Sequence, residues 1–98
     1  MLTKNLSTLP PGRPKGAKTF NKTVARAFGQ ALRQVRVEKK ISQDALALRC
    51  NIERSYLGKI ERGEHMAGFD MFLKITEGLN ISTNSFVTLV EEQLKMQK

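Results

Sequence analysis

Residues 42–63 read SQDALALRCNIERSYLGKIERG, and the interpretation of the whole chain turns on how this stretch divides. Ser42 is a helix N-cap candidate, because its hydroxyl can accept one of the free backbone N–H groups of a first turn. The spacing predicts a short helix over about Gln43–Cys50, with Leu46, Ala47 and Cys50 inward. Asn51 follows, a residue type that tolerates positive φ, so a tight turn fits there. A second short helix is predicted over about Glu53–Glu61, with Leu57 and Ile60 inward and Gly63 as its stop. Short helix, tight turn and short helix make a helix-turn-helix unit. Glu53, Arg54, Ser55, Gly58 and Lys59 line the outward side of its second helix. A helix fits the DNA major groove, and polar side chains near its N-terminus can reach base edges.

The flanks extend the helical pattern. Upstream, Val24, Phe28, Leu32 and Val35 step by four, four and three, predicting a helix over about Asn21–Lys39. Asn21 would cap it, Arg26 and Arg33 fall on its other side, and Lys39 and Lys40 suit its last turn. Downstream, Phe69, Phe72, Ile75 and Leu79 recur at threes and fours in a fourth helix of about Phe69–Leu79. A fifth should begin near Thr83 and run to about Lys95. Phe86, Val90 and Leu89 turn inward there, whereas Val87 and Leu94 fit one small core less easily. No strand-like alternation is sustained. All three prolines lie in residues 1–18, where apolar residues are few and aperiodic. The expected organisation is therefore a disordered basic arm over 1–19 and an all-α domain over 20–98.

Composition narrows the function. The 98 residues hold 17 Lys or Arg and 9 Asp or Glu, a formal charge of +8. The excess is confined to residues 1–40, which carry ten bases against the single acid Glu38. Such asymmetry points to a polyanionic partner. One cysteine excludes an internal disulfide, and with one histidine it makes a Cys/His zinc site implausible. Cys50 reads as a buried thiol and His65 as a loop residue, solvated or against a phosphate. No apolar run approaches the roughly 18 residues that span a bilayer, and no secretory signal is evident. The expected compartment is the cytoplasm, at the nucleoid, with no membrane association. No Gly-rich phosphate loop, paired catalytic acids or nucleophile elbow is present, so no enzyme activity, metal or cofactor is expected.

The segment resembles the Cro/lambda-repressor-like (XRE-type) helix-turn-helix regulators. Ser42, Gln43, Leu46, Ala47, Ser55, Tyr56, Ile60, Glu61, Arg62 and Gly63 fall on the family pattern without a gap. The match continues through Phe69, Leu73, Lys74, Ile75, Leu79, Ile81 and Ser82, and covers about residues 24–92. The resemblance implies a five-helix lambda-repressor-like DNA-binding domain. It gives Gln43 a backbone phosphate contact and a bracing role toward the recognition helix. Arg54 and Ser55 match positions that face bases, where Arg suits the O6/N7 edge of guanine. Tyr56 and Lys59 are expected on phosphates, while Glu61 and Arg62 serve structure through an ion pair or cap, with Arg62 also within reach of phosphate. Glu53 stands where the family has a capping Ser. Its carboxylate can cap the helix, the favoured role, or accept from cytosine N4. Asn51 replaces a turn glycine, and Ala67-Gly68 replaces a Pro-Ser that often contacts phosphate.

One recognition helix reads few base pairs, so a homodimer on a roughly palindromic operator is expected. Val87, Val90 and Leu94 form the stripe on helix five that would pair with its mate, with completion of the monomer core as the alternative. Pro-Gly-Arg-Pro-Lys-Gly at 11–16 resembles the centre of an AT-hook. In that reading Arg13 enters an A·T minor groove while Lys15 and Lys18 hold phosphates. The expected function is a sequence-specific transcriptional regulator, a repressor or autoregulator, with double-stranded DNA as partner. The alternatives are an antitoxin that also binds a toxin or other protein, and a largely non-specific architectural DNA binder.

Overall fold

A computed structural model describes residues 21–97 as five helices: α1 (Lys22–Glu38), α2 (Gln43–Cys50), α3 (Arg54–Glu61), α4 (Phe69–Leu79) and α5 (Thr83–Met96). Each boundary falls within about two residues of the sequence expectation. Local chemistry explains why. Asn21, Ser42 and Ser82 accept the amides of Val24, Ala45 and Ser85 at 3.0, 3.0 and 3.1 Å, each closing a first turn. Asn51 and Asn80 end α2 and α4 in the left-handed conformation, φ 57° at both. Gly63 does the same after α3, at φ 75°. Lys40 also lies in this region, at φ 59°, just beyond α1 rather than in its last turn.

The core is shared by all five helices. Leu32 and Val35 of α1, Leu46 and Cys50 of α2, Leu57 and Ile60 of α3, Ile75 and Leu79 of α4, and Phe86 of α5 are buried together. Phe28, Phe72 and Phe86 meet edge-on or tilted, with ring centroids 5.1–6.0 Å apart, joining α1, α4 and α5. The longest run of packing is between α1 and α5, followed by α1 against α3. At the α1–α3 crossing the backbones nearly touch. A Cβ placed on Gly29 would stand 2.3 Å from the carbonyl oxygen of Glu61 and 2.5 Å from that of Ile60. Only glycine fits there.

Helix α4 has no basic residue in its own last turn. Its C-terminal carbonyls are met instead by cations from α2 and from the C-cap of α1: Arg49 Nη1 donates to Gly78 O at 2.7 Å and Lys39 Nζ to Asn80 O at 2.9 Å. Both offset the negative end of the helix.

Two expected core positions lie outside. Val24 is 36% exposed in the first turn of α1, although its neighbour Ala25 and then Ala27, Phe28 and Ala31 are buried. Phe69 is 74% exposed at the start of α4, where only the later turns enter the core. No helix among the described residues is long and apolar enough to cross a membrane.

Candidate nucleic-acid interface

Helix α3 divides sharply. Leu57, Ile60 and Glu61 are buried in the core, Arg54, Ser55, Lys59 and Arg62 are exposed, and Gly58, on the outward side as expected, is buried beneath the Arg62 side chain. At 100° per residue the exposed four lie within an arc of about 140°. They form one polar, basic face on a helix whose other side is anchored in the core.

A buried polar network fixes the angle of that helix. The Glu61 carboxylate accepts from Arg36 Nε and, at 3.1 Å, from Arg36 Nη2 in α1, and at 2.9 Å from Gln43 Nε2 in α2. Arg36 Nη1 donates to Ile41 O at 2.9 Å, which ties in the α1–α2 turn. Among the described residues no buried side-chain nitrogen or oxygen lacks a partner. The network is therefore of the fully satisfied kind, which specifies one packing. Glu61 has the ion pair expected of it, with Arg36 as partner. Arg36 is consequently unavailable to a polyanion, which leaves Lys22, Arg26, Arg33, Lys39 and Lys40 as the exposed bases of α1 and its C-terminal turn.

The remaining site residues fall into place around this frame. Gln43 braces α3 with one amide hydrogen, given to Glu61 Oε1. Glu53 occupies the N-cap position of α3 with extended backbone angles, but its carboxylate makes no capping hydrogen bond. The favoured capping role is thus corrected: the longer side chain does not fold back as a serine would, and it stands exposed beside Arg54. Arg54 Nε lies 3.2 Å from Asp44 Oδ1 in the first turn of α2. Tyr56 is half-buried and meets His65 edge-on, ring centroids 4.9 Å apart, a pairing that sequence reasoning missed. Arg62 forms a fork with Glu64, at 3.0 and 3.3 Å. That hydrogen bonding raises the Arg62 pKa and lowers that of Glu64.

The other candidate residues lie elsewhere. Val87 is 44% exposed on α5, with Val90 and Leu94 half-buried. Val87 and Val90 line a shallow apolar groove of about 320 Å3 with Met66, Phe69 and Phe72. Cys50 is buried as expected, its Sγ 3.6 Å from Lys74 O, and burial pushes its thiol pKa up against the pull of Lys74 and Arg49. Among the described residues no group of His, Cys, Asp and Glu could hold a metal ion. Arg13, Lys15 and Lys18 lie outside the described residues.

Comparison with known proteins agrees with this architecture. The helix-turn-helix domain family matches residues 29–92. Control protein C.BamHI of Bacillus amyloliquefaciens is 40% identical over 55 residues, covering 55% of this chain and 68% of the control protein. The immunity repressor protein of Bacillus phage phi105 is 32% identical over 68 residues, 66% of this chain and 47% of the repressor. Among solved structures, the restriction-modification controller protein C.AhdI from Aeromonas hydrophila superposes with a TM-score of 0.61 at 35% identity, covering 63% of this chain and 94% of the controller.

Proposed function

The chain belongs to the helix-turn-helix domain family, and from that premise we propose that it is a sequence-specific DNA-binding transcriptional regulator acting as a homodimer. The observation that carries this reading is the exposed face of α3, with Arg54, Ser55 and Lys59 projecting from a helix whose angle to α2 is set by the buried Arg36–Glu61–Gln43 network. A rigid helix that presents polar and basic side chains suits a major groove. Its relatives include a control protein and an immunity repressor, which supports regulation as the outcome of binding.

Roles follow from chemistry. Arg54 and Ser55, in the first turn of α3, read base edges. Lys59 contacts a phosphate, as does the free amide hydrogen of Gln43. Tyr56 and Arg62 are secondary phosphate contacts, since one is half-buried and the other engaged by Glu64. Glu53, without a capping bond, is free to accept from cytosine N4. Phosphate contacts position the protein and base contacts specify the site. Dimerisation through the Val87, Val90 and Leu94 stripe joins two recognition helices and enlarges the specificity ratio. Arg13, Lys15 and Lys18 are assigned to an arm over residues 1–19 that adds minor-groove or phosphate affinity, on sequence grounds alone.

Selection from a random duplex library at near-physiological salt tests the reading, using the full-length protein and a version starting at Lys18. An enriched palindrome with half-sites about 34–36 Å apart is the expected result. An A·T preference confined to the full-length protein assigns the arm to the minor groove. Binding without enrichment would replace this reading with an architectural one, and no binding would replace it with a protein-partner role such as an antitoxin.

A further inference from the structure

Arg54 is the first residue of α3, where a positive side chain meets the positive end of the helix dipole, and α3 has no acid in its first turn. Its ion-pair partner is not the adjacent Glu53 but Asp44, one helix away at the second position of α2. The contact is an ion pair rather than a formed hydrogen bond: Arg54 Nε lies 3.2 Å from Asp44 Oδ1, and both side chains stay open to solvent, 64% and 80% exposed. A guanidinium whose Nε edge faces a carboxylate still offers both terminal nitrogens, and these two match the O6/N7 edge of guanine end-on. The same carboxylate repels phosphate and offsets the charge that would draw Arg54 to the DNA backbone.

We propose that Asp44 is a positioning residue for DNA specificity: it holds Arg54 in the end-on pose for a guanine edge and keeps it off the phosphates. The proposal rests on the reading of Arg54 as a base contact. Asp44 does not touch DNA in this arrangement. It removes rotamer freedom from Arg54 before binding and so favours the specific complex over the non-specific one. Exposed ion pairs are weak, which sets the size of the effect at about two- to fivefold.

The test uses full-length protein carrying Asp44→Asn, Arg54→Ala or both. Binding is measured to the selected operator, to the operator with single base pairs changed, and to a random duplex, at several salt concentrations. Arg54→Ala identifies the base pair that Arg54 reads. Asp44→Asn is expected to lower discrimination at that base pair by about two- to fivefold, while random-duplex binding tightens and falls more steeply with salt. In the Arg54→Ala background, Asp44→Asn should leave discrimination at that position unchanged. An equal gain on all duplexes would overturn the proposal, reducing Asp44 to a repulsive charge. So would a loss of discrimination that is the same with and without Arg54. If Arg54→Ala keeps every base preference, the base-reading assignment fails and takes this proposal with it. Asp44→Ser provides a second variant in which the helix start is retained, so that a folding defect in one does not decide the result.

Discussion

Arg36 of α1 and Glu61 at the end of α3 form a buried, two-pronged ion pair across 25 positions of sequence. Removing one partner leaves an uncompensated buried charge. Arg36→Met alone should therefore cost about 3–5 kcal/mol, and the pair Arg36→Met with Glu61→Leu should recover most of that loss. Urea denaturation of the wild type and these two variants measures it. Equal loss in the single and double variants would show that packing, and not charge pairing, holds α3 to α1.

Gly29→Ala isolates the backbone approach of the same two helices. Helix propensity alone favours Ala by about 1 kcal/mol. Here the new methyl would meet the carbonyls of Glu61 and Ile60, which belong to a helix and cannot turn aside. A net loss of about 1–3 kcal/mol is expected in urea denaturation.

Arg54→Ala and Lys59→Ala should fail in different ways. The first should cost about 1–3 kcal/mol on the operator and relax preference at one base pair. The second should weaken binding on operator and random duplex alike and reduce the salt slope by about one. Titrations on both duplexes over a salt series separate them, and identical profiles would remove the distinction between base reading and phosphate holding.

Val87→Asp tests the surface of α5. The side chain is 44% exposed, so the monomer should stay folded, with a stability change within about 0.5 kcal/mol. A charge buried in a dimer seam should raise the dimer dissociation constant by at least about tenfold. Sedimentation equilibrium reports both species. An unchanged dimer would move the interface elsewhere.

Cys50 carries a pH dependence of defined sign. Burial raises its thiol pKa in the folded state above that of the unfolded chain. The stability held by the protonated thiol is then complete below the unfolded value of about 8.5 and is lost as pH rises from there through the folded value. Relative to Cys50→Ala, wild-type stability should thus decline on the alkaline side and run parallel at neutral pH. Thiol alkylation at pH 7.5 should be slow in the native protein and fast in urea.

Much of this was readable in the residues. Asn21, Ser42, Asn51 and Gly63 act within three or four positions of themselves, and local chemistry of that range is written into sequence. The outward face of α3 followed from its period, and the family resemblance supplied the roles on it. What escaped depends on distance. Nothing near Arg36 marks it as buried, since its partner lies in another helix. Gly29 looks like a weak spot in a helix until α3 is laid across it. Val24 and Phe69 have the right period but lie in the first turns of their helices, where their side chains stay exposed. Glu53 has a capping position and a carboxylate, yet its extra methylene carries the oxygen away from the amides.

Helix α1 touches the two ends of the proposed machinery at once, α3 through Gly29 and Arg36, and α5 along its length. In a pair joined by α5, α1 is the strut of a caliper. The reach between the two reading heads is then a mechanical property of core residues that never approach DNA. Altering how α1 seats would retune the permitted gap between half-sites while leaving every base preference intact.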